Sequence, residues 1–407
     1  MRPIRHVRTT ALICLVVSGA GCSPTPSGHA QPADARQNLS LPLLFLDTAV
    51  AALPTPVVVR PVASPSVSAT MVAPTGTPST PSPNRTPETS STPDASATPS
   101  DGRPDPRTFR YTEWPIPGPD ARPHDIGVAP DGIVWYTGQR SNQIGGLDPA
   151  TGAFRRLDIP TTAASAHGLT VDRAGAVWFT EIGAGMVGRL DPATGDIREY
   201  DLPDADSGPH TIVEGPDGLM WFTEQAGGSI ASLDPETGKV TRHTTPTTGS
   251  GPYGMKFAPD GRLWFAEFGA DKIGWLDIAT GHIEELVPPR ARQGARRLAV
   301  DRRGRVWVTE YRSGKLGMYD PASATWQAYD PPTADGQPYA IVMDPWDDVW
   351  LSLFRPDQLV YFDPDTETFL SFPLPTTDAA CRFLDVSPDG AVWCPESGPS
   401  KIARLGP

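Results

Sequence analysis

The sequence predicts an all-β fold, a seven-bladed β-propeller spanning residues 107–407, preceded by a leader and a Pro-rich tether. Seven tryptophans recur at steps of 43 residues: Trp135, Trp178, Trp221, Trp264, Trp307, Trp350 and Trp393. Seven such repeats make 301 residues, the length of 107–407. A repeat of this length that contains only strand-like segments is typical of propeller blades.

One repeat contains the four strands that a blade needs. Residues 209–214 alternate in apolar character, residues 215–218 form a Gly-Pro-Asp-Gly turn, and residues 219–224 are rich in bulky side chains. Residues 229–234 and 239–244 give the third and fourth strands. No segment keeps a helical apolar period over the length of a helix.

The two ends of the repeat region predict how the ring closes. The last repeat stops at its third strand, residues 401–405, and residues 108–114 have the character of the missing fourth strand. We therefore expect the N-terminal strand to complete the last blade, which removes two exposed strand edges.

The first 22 residues have the features of an export signal. Three basic residues precede a short apolar run, and small residues lead to Cys22. This pattern predicts a lipoprotein signal in which Cys22 is lipidated, although Gly19 stands where such signals usually have Leu or Val. The alternative is ordinary secretion with a spare cysteine. We expect an exported protein, either anchored at the cell surface or secreted.

Residues 23–106 are predicted to be a disordered linker. From residue 61 onward this segment is dominated by Pro, Ser, Thr and Ala, a composition that cannot bury enough apolar surface to fold. Because Pro-rich chain is semi-extended, it would hold the propeller away from a membrane.

Charge and composition restrict the partners. The formal net charge of −13 argues against nucleic acid, because phosphate binding needs a basic surface. No segment is long and apolar enough to span a membrane, so we expect membrane contact only through the N-terminal lipid, and a monomer. Cys381 and Cys394 lie on adjacent strands of the last blade, where they form either a disulfide or two half-buried thiols.

One repeat position carries the most specific chemical signal. It lies eleven residues before each Trp, at the start of the innermost strand, and we call its occupants the channel ring: His124, His167, His210, Tyr253, Arg296, Tyr339 and Arg382. Three of the seven histidines in the chain occupy it. A purely structural ring would carry small or apolar residues, so we expect a small-molecule or peptide ligand here. The arginines offer a planar donor fork for a carboxylate.

A second repeated position holds glutamates, three residues after the blade Trp. Counting along the antiparallel strands places Glu181 beside His167 and Glu224 beside His210. A His beside a carboxylate suits a general base or a metal site, so both are predicted as supporting carboxylates. The alternative is that they satisfy backbone amides in every blade.

Several phrases of the repeats resemble the streptogramin B lyases, also called virginiamycin B lyases: Ser207-Gly208-Pro209-His210, Gly251-Pro252-Tyr253-Gly254, Trp178-Phe179-Thr180-Glu181, Lys272-Ile273-Gly274 and Val187-Gly188-Arg189-Leu190-Asp191. The resemblance covers 107–407. It implies a propeller that opens a cyclic depsipeptide by Mg-dependent elimination at an ester, with one ring His binding substrate and the next acting as base.

Carried over by position, the substrate-binding and base histidines are His124 and His167, or His167 and His210. We predict His167 and His210 as catalytic residues, and from their place on the channel ring we expect His124, Tyr253, Arg296, Tyr339 and Arg382 to contact substrate. The metal-binding glutamates of the family fall on Ser165 or Gly208 and on Ile182 or Gln225. No cofactor is therefore certain, since Mg²⁺ is implied by the resemblance while its ligands are missing. The alternative function is a non-catalytic ligand-binding or sensor propeller displayed from the cell surface.

Overall fold

The computed structural model describes residues 102–407, which form seven four-stranded antiparallel sheets arranged as the blades of a propeller. Blades 1 to 6 each use four consecutive strands. In blade 7, the N-terminal strand Arg110–Pro115 pairs with Lys401–Gly406, from Arg110 opposite Gly406 to Pro115 opposite Lys401. The predicted fold class and ring closure are confirmed.

The strands follow the 43-residue period. A short 3-10 turn, Pro106–Thr108, precedes them. From the channel outward, the strands of blade 1 are Pro123–Val128, Val134–Gly138, Gln143–Asp148 and Ala153–Asp158. Those of blade 2 are Ala166–Val171, Val177–Glu181, Met186–Leu190 and Ile197–Asp201. Those of blade 3 are Pro209–Glu214, Met220–Glu224, Ser229–Leu233 and Val240–Thr244. Blade 4 contains Pro252–Phe257, Leu263–Glu267, Lys272–Leu276 and Ile283–Leu286. Blade 5 contains Ala295–Val300, Val306–Glu310, Lys315–Asp320 and Thr325–Tyr329. Blade 6 contains Pro338–Met343, Val349–Leu353, Gln358–Asp363 and Thr368–Pro373. Blade 7 contains Asp385–Val386, Val392–Glu396, Lys401–Gly406 and Arg110–Pro115.

The repeated tryptophans form the packing between blades. All seven are buried, and each belongs to an apolar cluster. Trp178, for example, packs with Met220 and Phe222 of the following blade. Burying a large aromatic side chain stabilises the fold by about 2–3 kcal/mol, so the same position serves as an inter-blade anchor around the ring.

A β-bulge interrupts the innermost strand of blades 1 to 6 at the channel ring. In blade 1, Pro123 lies opposite Gly138 but Ile126 lies opposite Tyr136, so His124 and Asp125 have no cross-strand partners. Bulges re-aim side chains and locally break the alternation of a strand. The bulge therefore fixes how the ring residues enter the channel.

Blade 7 has the shortest innermost strand and a covalent link in its place. Asp385–Val386 pairs with Val392–Glu396 over two residues, and Cys381 makes an isolated bridge to Glu396. Cys381 and Cys394 form a disulfide, the first of the two alternatives left open by the sequence. The disulfide ties the innermost segment to the second strand where hydrogen bonding is sparse.

The N-terminal predictions lie mostly outside the described residues. The signal sequence 1–22, the lipidation of Cys22 and linker residues 23–101 are not described. Arg103, four residues before the predicted domain boundary, already pairs with Asp348 at 2.5 Å. Within residues 102–407, no helix has the length and apolar character that a membrane span requires.

Candidate functional site

Four channel-ring side chains lie in a row around one half of the channel, each aromatic ring tilted by 40–50° against the next, and we call the three histidines of this row the histidine stack. The ring centroids of His124 and His167 lie 3.7 Å apart, those of His167 and His210 3.9 Å apart, and those of His210 and Tyr253 3.9 Å apart. All four side chains are buried. The structure thus brings the three predicted histidines together, as neighbours in a stack rather than as three ligands converging on one point.

Threonines two residues after the blade Trp hold the bulges in place. Thr137 Oγ1 accepts a hydrogen bond from the Asp125 amide at 3.0 Å and donates to the His167 carbonyl of the next blade at 2.9 Å. Thr180 links Gly168 to His210 in the same way. These hydroxyls satisfy an amide that the bulge leaves unpaired, and they connect successive ring residues.

Sequence reasoning missed Asp125 and Arg297, which follow two ring residues directly. The His124 Nδ1 atom lies 2.8 Å from Asp125 Oδ1. The same oxygen accepts a hydrogen bond at 3.1 Å from the Arg297 guanidinium, which reaches across the channel from blade 5. Asp125 and Arg297 are 1% and 3% exposed. Burial raises the pKa of Asp125, and the Arg297 charge opposes that rise.

This missed pair had a visible sequence signal. Charged residues are rare at the position after the ring, which elsewhere holds small, hydroxylic or apolar residues: Gly168, Thr211, Gly254, Ala340 and Phe383. One acid and one base in such a set are a complementary pair. Recognising that both face the channel required knowledge of the bulge.

The histidines are neutral at neutral pH. Burial lowers the pKa of His124, His167 and His210 well below the ordinary value of 6.5, and the charges of nearby arginines, Arg297 among them, lower it further. A neutral imidazole has one free lone pair and can accept a proton. The stack is therefore a set of proton acceptors.

The other half of the ring is built around Arg296. One guanidinium nitrogen donates to the phenol oxygens of Tyr253 at 2.8 Å and Tyr339 at 2.7 Å, and those two oxygens are 2.8 Å apart. The Arg296 guanidinium also lies 4.9 Å from the Phe268 ring and 4.7 Å from the Tyr311 ring. This cluster fills its side of the channel.

Further cationic and aromatic residues surround the ring. Arg382 lies 5.0 Å from the Phe354 ring and 5.8 Å from the Tyr339 ring, and it is partly exposed. Arg122 is also partly exposed, and its charge acts on both Arg382 and Tyr339. Four residues after the Trp, blades 4 to 6 carry three half-buried aromatics that sequence reasoning did not single out: Phe268, Tyr311 and Phe354.

The structure does not bring the predicted carboxylates to the histidines. The bulge shifts the register by one, so Glu181 pairs with Ala166 and Glu224 with Pro209. The Glu224 carboxylate accepts hydrogen bonds from Ser229 and Arg242 inside its own blade, each at 2.5 Å. Glu181 faces Glu199, and burial together with that neighbour raises the pKa of Glu181 to about 8. The counting argument was wrong because it assumed an unbroken ladder.

The residues present do not fit the Mg²⁺ site that the resemblance implies. Mg²⁺ prefers carboxylate oxygens, whereas the corresponding positions hold Ser165, Gly208, Ile182 and Gln225. Among residues 102–407, the one cluster with metal-ligand atoms within 4.8 Å of one another is His124, Asp125 and His167. Its two nitrogens favour a transition metal over Mg²⁺, and its Asp125 oxygen is already engaged by His124 and Arg297.

The channel continues beyond the ring into a cavity of about 280 Å³. Arg297 lies among its lining residues, and Lys256 and Asp385 add one charge of each sign to otherwise mostly apolar walls. Asp385 accepts a backbone hydrogen bond from Val128 at 2.7 Å. The Asp125–Arg297 pair thus lies between this cavity and the histidine stack.

Comparison with known proteins gives one consistent result. The profile described as the virginiamycin B lyase family matches residues 102–268 and 239–407. A streptogramin B lyase structure is 31% identical, with a TM-score of 0.69, and the match covers 73% of this chain and 97% of that one. Virginiamycin B lyase from Staphylococcus aureus is 28% identical at the same TM-score, with 74% and 99% covered.

A catalytically inactive His-to-Ala variant of the Staphylococcus aureus virginiamycin B lyase, solved with quinupristin, is 27% identical with a TM-score of 0.69. That match covers 74% of this chain and 99% of the other. Among curated protein sequences, none matches this chain.

Proposed function

The chain belongs to the virginiamycin B lyase family, and from this premise we propose that it opens a cyclic peptide ester by elimination at the channel ring. The observation that carries the proposal is the contact of 2.8 Å between His124 Nδ1 and Asp125 Oδ1 inside a stack of neutral histidines. A carboxylate that receives one ring N–H leaves the other imidazole nitrogen as an acceptor. A related lyase that lacks one histidine is described as catalytically inactive.

In the proposed step, an imidazole nitrogen takes a proton from the carbon next to the ester-bearing carbon. The C–H electron pair forms a carbon–carbon double bond. The C–O bond breaks, and its electron pair leaves with the carboxylate. The sequence predicts His167 or His210 as the acceptor, and the Asp125 contact adds His124. Within the described residues, His124 alone of the three has a ring nitrogen against a carboxylate.

The departing carboxylate needs a positive charge, because its charge develops as the C–O bond breaks. The channel ring offers Arg382, which has no carboxylate partner among residues 102–407. Arg122 adds a second cation near it. This arrangement replaces the electrostatic role of a metal with guanidinium groups, so the reaction we propose does not depend on Mg²⁺.

Incubating the purified protein with a streptogramin B antibiotic and detecting the linear product by mass spectrometry tests the proposal. We expect ring opening that persists in EDTA and falls about 10²-fold or more in Asp125→Asn or His124→Gln, because a general base contributes about 10²–10⁴-fold. Glu181→Gln is the matched control, since Glu181 points away from the ring, and it should retain activity.

If the wild-type protein forms no linear product, the streptogramin B antibiotic is not its substrate. Activity that disappears in EDTA and returns with Mg²⁺ would contradict the metal-independent step. Equal loss in Glu181→Gln and Asp125→Asn would point to a general folding defect rather than to a role for Asp125 at the site.

The second candidate is a non-catalytic binding or sensor propeller. It is favoured by the packing of Arg296 against Tyr253 and Tyr339, which fills one side of the channel and leaves less room for a substrate. If the same mixture shows no product but the antibiotic binds measurably by calorimetry, and Arg382→Ala weakens that binding, the binding function is supported instead.

We further propose that the propeller acts outside the cytoplasm as a monomer, held at the cell surface by a lipid on Cys22. The leader and the Pro-rich composition of residues 23–106 support this placement. Metabolic labelling with palmitate in wild type and Cys22→Ala tests it. Label in the wild type alone is expected, and equal label in both would contradict the assignment.

A further inference from the structure

The cluster of the buried Tyr253 and Tyr339 with the partly exposed Arg296 contains a positive charge without a carboxylate to balance it. No Asp or Glu among residues 102–407 lies within ion-pair distance of the Arg296 guanidinium. Its Nε atom is buried and has no hydrogen-bond partner among those residues. Where it faces the two buried phenols, the guanidinium is withdrawn from water, and charges withdrawn from water are normally paired.

The hydrogen bonds of the cluster identify the compensating group. Both phenol oxygens accept from the same Arg296 nitrogen, and they lie 2.8 Å from each other. Two hydroxyls cannot both donate across one contact, so one phenol donates and the other accepts. Among the described residues, the accepting phenol has no second oxygen or nitrogen to which its own proton could be donated. Removing that proton leaves every polar contact satisfied.

We propose that Tyr253 and Tyr339 share a single proton and carry one negative charge, which is the counterion of Arg296. The two side chains are 4% and 2% exposed, so the charge lies within the channel rather than on the surface. Such a tyrosinate–guanidinium pair is a titratable centre in the half of the ring that has no histidine.

The surrounding charges favour the ionised form. Burial raises the pKa of Tyr339, but the guanidinium charges of Arg296, Arg382 and Arg297 outweigh burial and lower it to about 7. Burial raises the pKa of Tyr253, which therefore retains the shared proton. The other titratable groups that face the pair are Arg122, the neutral His210 against Tyr253, and Tyr311 against Tyr339.

The pair sets the charge that a ligand meets at the ring. While the proton is shared, Arg296 is neutralised by the phenols, Arg297 is neutralised by Asp125, and Arg382 remains as the cation open to a ligand. When the pair takes up its second proton, the ring gains one positive charge. Anions should then bind more tightly, and by reciprocity a bound anion should raise the pKa of the pair. This consequence rests on the proposed function, whereas the tyrosinate itself does not.

Ultraviolet difference absorbance of ionised phenol tests the centre in the intact protein. We expect one of the nine tyrosines to ionise near pH 7. The neutral-pH signal should vanish in Tyr339→Phe and move to higher pH in Arg296→Met, which removes the countercharge. Tyr136→Phe is the matched control, since Tyr136 is buried away from the cluster and its hydroxyl has no partner among the described residues.

Three results would overturn the proposal: no phenol ionising below the ordinary range, the neutral-pH signal surviving in Tyr339→Phe, or its loss in Tyr136→Phe. If Tyr339→Phe does not fold, Tyr253→Phe and Arg296→Met test the same proposal, because both variants should raise the pH midpoint of the phenol ionisation seen near neutral pH. Sulfate, compared with chloride at equal ionic strength, should raise the wild-type midpoint. An unchanged midpoint in sulfate contradicts the ligand linkage, and an absence of antibiotic turnover contradicts only the proposed enzyme.

Discussion

The two halves of the channel ring solve the same packing problem with opposite charge chemistry. Blades 1 to 3 supply three stacked histidines that burial keeps neutral. Blades 4 to 7 supply alternating tyrosine and arginine, in which Arg296 is held between two phenols. All seven side chains start from the same repeat position, and blades 1 to 6 share the same bulge, so the backbone of these six blades does not distinguish histidine from tyrosine or arginine.

The chemistry of the channel ring therefore depends on how each half balances the charges of its side chains. Burial keeps the histidine half neutral, while the tyrosine–arginine half keeps its charges: it pairs Arg296 with two phenols and leaves Arg382 without a carboxylate partner among residues 102–407. The ion pair between Asp125 and Arg297 joins the two halves, because Asp125 lies in blade 1 and Arg297 lies in blade 5.

The largest effect is expected from Asp125→Ala, which cuts the bridge between the halves. Arg297 then remains buried without its carboxylate, and His124 loses its partner. Removing one member of a buried ion pair costs about 3–5 kcal/mol. Urea unfolding monitored by tryptophan fluorescence should show this loss in the free energy of unfolding.

The double variant Asp125→Ala with Arg297→Met is the control for that measurement. Without the buried guanidinium, no uncompensated charge remains, so the double variant should be more stable than Asp125→Ala alone. A double variant that loses the sum of two large single effects would show that the residues act independently, against the bridge.

Most of the fold could be predicted from the sequence, because the 43-residue period and the tryptophans report blade number directly. The ring closure also followed, since residues 108–114 have the character of the missing strand. The site was only partly accessible. The sequence placed seven side chains on one ring, but pairing Glu181 with His167 required an unbroken ladder, and the bulge removes it. Asp125 reaches Arg297 across 172 residues of sequence, a contact that local spacing does not reveal.

The next prediction separates the halves by pH. The histidines bind protons less readily in the native state than in the unfolded chain, so their contribution to stability should fall as pH drops below 6.5, whereas buried carboxyls with a raised pKa, such as Glu181, contribute in the opposite direction. Tyr339 has its native pKa lowered from 10.0 to about 7, so the unfolded chain binds more protons between these values and stability should rise with pH there.

Thermal unfolding across this range distinguishes the two contributions. His167→Phe should flatten the acidic loss while leaving the alkaline rise, and Tyr339→Phe should do the reverse. If both variants flatten the same limb, the halves do not titrate separately and the division is incorrect. Tyr136→Phe again serves as the control, with both limbs retained.

The smallest effect is expected in the glutamates that the sequence assigned to the histidines. Burial and the neighbouring Glu199 raise the pKa of Glu181 to about 8, so Glu181→Gln replaces one neutral buried side chain with another of similar size and should change the free energy of unfolding by less than about 1 kcal/mol. Glu224→Gln removes the charge that accepts from Arg242 and should cost about 1–3 kcal/mol. Urea unfolding at neutral pH compares the two.

Neither substitution should change the rate, per folded molecule, of the ring opening proposed above, because both carboxyls lie inside their blades rather than in the channel. A rate that falls in Glu181→Gln with stability intact would restore the predicted support for His167. If only Glu224→Gln lowers the total rate, and the loss matches the fraction of unfolded protein, Glu224 is a residue that stabilises its blade. In that case the channel-ring residues serve binding or catalysis and the glutamates three residues after each blade Trp stabilise the blades, although both positions repeat with the same 43-residue period.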